Sequence, residues 1–133
     1  MSYVTYGTIV IPFDIELKLG KPAYKQLVYA AHKAFVTGQL KQGDRFPSVR
    51  AISKELKLNP NTVLKAVSLL IQQGLLVSEP GIGTVVNKDY EPDPRQKSEL
   101  FDELIEPLII EAKKHGIKRA EFLEVIKERW EQL

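Results

Sequence analysis

The sequence predicts a mainly α-helical fold with a small β hairpin, built as a basic front portion followed by a short acidic helical tail. Three observations carry this. Stretches between residues 22 and 74 repeat apolar side chains at helical spacing, each with its own start or stop residue. Two β-rich runs flank a Pro-Gly turn, and the chain closes on two more amphipathic stripes.

The chain begins with a period of two: Ile9, Ile11, Phe13, Ile15, Leu17 and Leu19 alternate with Val10, Pro12, Asp14, Glu16 and Lys18. That spacing predicts an extended strand, and Pro12, which lacks a ladder donor, places it at a sheet edge or as an arm over residues 1–20 laid on another surface. Gly20-Lys21-Pro22 breaks it, with Pro22 suited to a first helical turn. A first helix follows to about Thr37, with Tyr24, Leu27, Val28, Ala31, Ala34 and Phe35 on one face and Gly38 as its stop. Past a loop over 39–47, Ser48 is placed to cap a short helix burying Val49, Ile52 and Leu56. Asn59 and Pro60 then open a third helix whose Val63, Ala66, Val67, Leu70 and Ile71 form one buried stripe ending at Gly74.

Leu75 to Ser78 and Thr84 to Asn87 flank Glu79-Pro80-Gly81-Ile82-Gly83, a hairpin by composition and turn chemistry. Three helices and a hairpin outline a winged helix-turn-helix domain over 21–88. Residues 89–98, with Pro92 and Pro94, read as a linker. In the tail, 99–133, Leu100, Phe101, Leu104, Ile105, Leu108, Ile109 and Ala112 make one wide stripe. Pro107 kinks or splits that helix, Gly116 closes it, and Phe122, Leu123, Ile126, Trp130 and Leu133 line a last one. Two such helices cannot close a core alone, so the tail is expected to be a two-helix dimerisation region. Phe101, Leu104, Ile105, Leu108, Phe122, Ile126 and Trp130 would be its interface.

Composition narrows the function. With no cysteine and only His32 and His115, a thiolate or histidine metal site and a Ser/His triad have little to work with, so neither a catalytic centre nor a cofactor is expected. No apolar run approaches the roughly 20 residues a bilayer requires and Met1-Ser2-Tyr3-Val4 lacks a basic leader, so the expected address is cytoplasmic, away from membranes. Charge is uneven along the chain. Residues 22–88 carry nine bases against three acids, a net of +6, whereas 89–133 carry eight bases against twelve acids, a net of −4. A basic middle under an overall charge of only +2 points to a polyanion partner for that segment.

In a helix-turn-helix the third helix enters the major groove by its first turn, while the second crosses the backbone. Here that turn is Asn59-Pro60-Asn61-Thr62. The Asn61 amide suits the N6/N7 edge of adenine, and Thr62 can meet a phosphate or a thymine methyl. Lys65 reaches a phosphate, Arg50 offers a fixed fork of donors to backbone or guanine, and the helix start at Ser48 presents N–H groups to a phosphate. The plain alternatives stand beside these. Ser48 and Asn59 are structural caps first, Asn61 and Thr62 read equally as solvated polar positions, and Arg50 and Lys65 as ordinary surface charges. Gly81 and Gly83 turn a hairpin whether or not they approach a sugar-phosphate backbone. His32 reads as a plain surface or half-buried histidine, and Trp130, in the acidic segment, as packing rather than a base-stacking platform.

Resemblance separates the two readings. From Lys21-Pro22-Ala23-Tyr24-Lys25-Gln26-Leu27, through Gly38 to Arg50 with its Gly43-Asp44-Arg45-Phe46-Pro47-Ser48-Val49-Arg50, to Gly74-Leu75-Leu76 and Gly81-Ile82-Gly83-Thr84, about half the chain resembles the DNA-binding domain of the GntR family of bacterial transcription regulators. Asn59-Pro60-Asn61-Thr62-Val63, Lys65-Ala66 and the short two-helix tail resemble its YtrA-type subfamily in particular. The resemblance implies a homodimeric regulator, usually a repressor, binding double-stranded operator DNA through the positions of Arg50, Asn61, Thr62, Lys65 and the wing residues Gly81, Gly83 and Thr84. The sequence departs from the family pattern at Leu64, usually polar or basic, at Ile82, usually basic, and at Ser68, often aromatic in the subfamily. Base preference is therefore expected to differ from that of relatives. The tail is too short for a separate ligand domain, which leaves an effector site at the dimer interface or control by protein level alone. A protein-interaction module using the N-terminal arm as a docking strand is the alternative, one that leaves the +6 segment unexplained.

Overall fold

The computed structural model describes residues 3–6 and 9–133; positions 1, 2, 7 and 8 of the expected arm lie outside the described residues. The chain forms two compact units, Met1–Tyr90 and Glu91–Leu133.

The first unit begins with an antiparallel pair, β1 (Tyr3–Tyr6) and β2 (Ile9–Asp14), in the register Tyr3 to Asp14, Thr5 to Val10 and Tyr6 to Ile9 with an irregularity between Tyr3 and Thr5. Each strand of such a pair is an edge, which accommodates Pro12. The alternation does what a period of two demands: Ile11, Phe13 and Ile15 are buried, Leu17 is half-buried, and Phe13 stacks on Phe46 with ring centroids 5.7 Å apart. These side chains join the same core as the helices, so β2 is part of this unit's interior. Leu19 breaks the pattern and is fully exposed, because the chain has already entered the turn at Gly20. Gln26 holds that turn. Its amide oxygen accepts from the Lys18 N–H at 2.8 Å, and its amide nitrogen donates to the Lys18 and Lys21 carbonyls at 2.9 and 3.0 Å.

Three helices follow, α1 (Ala23–Val36), α2 (Val49–Leu56) and α3 (Pro60–Gln72), then the wing strands β3 (Leu76–Glu79) and β4 (Gly83–Val86). Leu27, Ala31 and Ala34 of α1, Ile52 of α2, and Val63, Ala66, Val67 and Leu70 of α3 meet over one core, with Tyr24, Val28, Phe35, Val49 and Leu56 at its margin. Ile71, expected in the buried stripe, is 40% exposed, since the stripe has rotated past the core by the last turn of α3. His32 is not alone: its Nε2 lies 2.8 Å from the Gln73 amide oxygen, tying α1 to the end of α3. The loop before α2 adds an unexpected pairing. Gly43 N–H donates to the Val86 carbonyl, Val86 N–H to Asp44, and Phe46 N–H to Thr84, at 2.7–2.9 Å, so this loop lies along β4 as a partial third strand.

The second unit starts inside the stretch read as a linker. Asp93 accepts from the Arg95 N–H at 3.0 Å just ahead of α4 (Arg95–Leu100), and the Arg95 side chain in turn holds the Asp93 carboxyl below its usual range. A π-helical turn over Phe101–Ile105 leads into α5 (Glu106–Lys114), which places Pro107 in its first turn. The missing donor and crowded carbonyl of Pro107 are absorbed by this wider turn, and the helix is interrupted there as the sequence predicts. Gly116, at φ +70°, ends α5, and α6 (Arg119–Gln132) completes the chain. Among the residues of this unit only Ala112 is buried.

Candidate nucleic-acid interface

Both helix starts that carry the candidate residues are capped by the side chains the sequence nominates. The Ser48 hydroxyl accepts from the Ala51 N–H at 3.0 Å, and the Asn59 amide oxygen accepts from the Asn61 N–H at 2.8 Å, with Pro60 as the first residue of α3. Each cap contributes about 1 kcal/mol. The turn between α2 and α3 is equally defined. Lys57 adopts a left-handed conformation (φ 54°, ψ 45°), and the Leu58 N–H bonds back to the Ser53 carbonyl at 3.0 Å. A left-handed non-glycine costs about 1–2 kcal/mol; here it folds α2 back against α3.

On this frame Asn59 and Asn61 are exposed, Thr62 is half-buried, and Leu64 and Lys65 face outward, while Val63, Ala66 and Val67 point into the core. The first turns of α3 therefore offer an amide, a hydroxyl and a methyl, an apolar tip and a cation from one rigid helix. Lys65 is also positioned: its Nζ sits 4.0 Å from the centroid of the Tyr24 ring. Arg50 is exposed in the first turn of α2. In the wing, β3 and β4 pair from Leu76 with Val86 to Glu79 with Gly83, and the tip turns through Gly81 (φ +77°) and Gly83 (φ +113°). Only glycine adopts these angles freely. Ile82 at the tip is 49% exposed, and Thr84 is fixed by the bond from Phe46 N–H to its carbonyl.

The electrostatics agree with this geometry. All ion pairs among the described residues lie beyond residue 90, at Arg95 with Asp93 and at Lys114 and His115 with Glu111. Arg45, Arg50, Lys54, Lys57 and Lys65 of the first unit have no carboxylate partner among the described residues, and their charges face solvent. Arg45 enters the sequence reading only within the family motif and not as a candidate contact. Its place beside Val85 of β4 follows from the loop pairing, which its own neighbours, Asp44 and Phe46, do not announce. No group of three or more His, Cys, Asp or Glu suited to a metal occurs among the described residues. No helix there is long and apolar enough to cross a membrane.

In the second unit, Phe101, Leu104, Ile105, Leu108, Ile126 and Trp130 are exposed and Phe122 is half-buried. Val125 and Ile110, outside the expected interface, are exposed with them.

Three helices, the last capped at its start and open to solvent along one side, and a glycine-tipped wing beside unpaired cations are the architecture of a winged-helix DNA-binding transcription regulator. Residues 23–86 match the gntR family of bacterial regulatory proteins. The chain is 31% identical over 86% of its length to the HTH-type transcriptional regulator YhcF of Bacillus subtilis, covering 94% of that protein. It is 30% identical over 86% of its length to the HTH-type transcriptional repressor YtrA of the same organism, covering 89%. Among solved structures it superposes on a transcriptional antiterminator from Listeria monocytogenes with a TM-score of 0.77 at 28% identity, with 88% of each chain covered. The chain belongs to the GntR family, and its similarity to YhcF and YtrA is longer than the matched family domain.

Proposed function

We propose that the protein is a homodimeric repressor that binds an inverted-repeat operator, with α3 in the major groove and the β3–β4 wing along the flanking backbone. The observation that carries this reading is the first turns of α3, capped at Asn59, rigidly seated on the core and presenting exposed Asn61, Leu64 and Lys65. Asn61 reads a base edge, and Thr62 meets a phosphate or a thymine methyl. Leu64, in place of a polar side chain, touches a thymine methyl. Arg50, Lys65, the capped start of α2 at Ser48 and the wing at Gly81, Gly83 and Thr84 hold phosphates and set the register. The repressor role is taken from the named activity of YtrA.

The homodimer rests on the second unit, whose apolar side chains are exposed at 57% for Phe101, 63% for Leu104 and 80% for Trp130. Large apolar side chains exposed to that extent are covered in a folded assembly, and a second copy supplies the matching face. Two copies then place their α3 helices about 34 Å apart, one turn of DNA. The interaction-module alternative loses its docking strand, because Ile11, Phe13 and Ile15 are already buried. Selection of bound sequences from random duplexes tests the proposal. A two-fold symmetric consensus with half-sites one turn apart is expected; an asymmetric consensus, or none, overturns it.

A further inference from the structure

We infer that the first unit carries a second, small-molecule site: a cleft of about 530 Å³ between the end of β2, the turn at 15–22 and the outer face of α1, suited to a nucleotide. Four lysines line it, Lys18, Lys21, Lys25 and Lys33, against the carboxylates of Asp14 and Glu16. None of the four has an ion-pair partner among the described residues. Lysines gathered around one concavity are the chemistry of phosphate binding.

One further feature narrows the ligand beyond free phosphate. Tyr29 lines the same cleft and is 67% exposed, an aromatic face on which a flat ring stacks. The cleft volume falls within the range of about 300–1,000 Å³ typical of ligand sites.

The site is distinct from the DNA-reading surface. Lys25, Tyr29 and Lys33 follow one another at i, i+4 and i+8 along α1, while Tyr24, Val28, Ala31 and Phe35 pack toward the core and Lys65 of α3 on the other side of the helix. A ligand here needs no partner subunit, in contrast to the interface site the short tail suggests.

Calorimetric titration of the full chain with ATP, GTP and inorganic phosphate, in the absence of DNA, tests the inference independently of the operator reading. ATP or GTP is expected to bind with a dissociation constant below about 1 mM, at least about tenfold tighter than inorganic phosphate, and Lys25→Ala combined with Tyr29→Ala is expected to weaken it by about tenfold or more. Both side chains are exposed on a helix, and a thermal melt checks that the double variant folds. Its affinity for a duplex is expected to stay within about twofold of the parent's, since a lost phosphate contact would also lower the salt slope. No heat with either nucleotide overturns the inference. Binding unaffected by the double substitution overturns the site. Equal affinity for inorganic phosphate overturns the nucleotide assignment, and a parallel loss of duplex binding assigns the lysines to DNA.

Discussion

Replacing Phe13 by alanine separates a core strand from a detachable arm. The ring is fully buried and stacks on Phe46 with its plane 13° from parallel, so truncation removes a complete aromatic side chain and leaves a cavity facing α1 and α2. Phe to Ala in a core costs about 3–5 kcal/mol, of which the aromatic pair accounts for about 0.5–1.5. An edge strand relaxes more readily than a central one, which places the cost near 3 kcal/mol at the lower bound of that range. That is a large share of the about 5–15 kcal/mol that stabilises a small domain, and it lowers the melting midpoint by about 12–24 °C. Leu19→Ala is the control: at full exposure it changes stability by no more than about 0.5 kcal/mol. Thermal and urea unfolding of the two variants, followed by far-ultraviolet circular dichroism, measures both. If Phe13→Ala melts with Leu19→Ala and the parent, the ring is not in the core, and the first segment is the free arm that its alternation alone allows.

Asn59 and Asn61 divide a structural role from a reading role. Asn59→Ala removes the α3 cap and lowers stability by about 1 kcal/mol in denaturant titration, whereas Asn61→Ala leaves the melt unchanged and costs about 1–3 kcal/mol of base discrimination in competition gel shifts. Arg50→Ala and Lys65→Ala weaken operator binding while the midpoint of unfolding holds. Each lowers the slope of log affinity against log salt by about 0.9, and a slope unchanged in either removes it from the phosphate contacts. Gly83→Ala puts a side chain at φ +113°, where space is open but the backbone is strained; it destabilises the hairpin by about 1 kcal/mol or more and reduces DNA affinity with it. Trp130→Asp places a charge on the exposed apolar surface of α6 and converts a dimer to monomer in sedimentation, with the helical circular dichroism of the first unit retained.

What the sequence makes legible is what local chemistry decides. Ser48 and Asn59 announce their helix starts because a short acceptor side chain serves an unpaired N–H wherever it stands, and the glycines at 74, 81 and 116 mark reversals of the chain. The expected apolar stripes of α1 to α3 meet the core apart from Ile71, whereas Ala30, Ser53 and Glu55 are buried without being nominated by the spacing of apolar side chains. Pairing across distance is not legible in this way. Tyr3–Tyr6 gives β2 its partner, and residues 43–46 lie along β4, yet neither segment carries an alternating apolar pattern, since their bonds are made by backbone. The start of α4 inside the proline-marked stretch goes with a local bond from the Arg95 N–H to Asp93 that the prolines do not announce. The candidate interface was legible as residue types on a helix start. The cation–π seat of Lys65 on Tyr24, which lies 41 residues earlier in the chain, is a product of the fold.

Native mass spectrometry of the full chain on a duplex recovered by sequence selection tests the central claim most directly. Two chains on each duplex, at protein concentrations where the free species is already a dimer, are predicted. One chain per duplex, or a dimer that forms without holding any duplex at low ionic strength, contradicts the account.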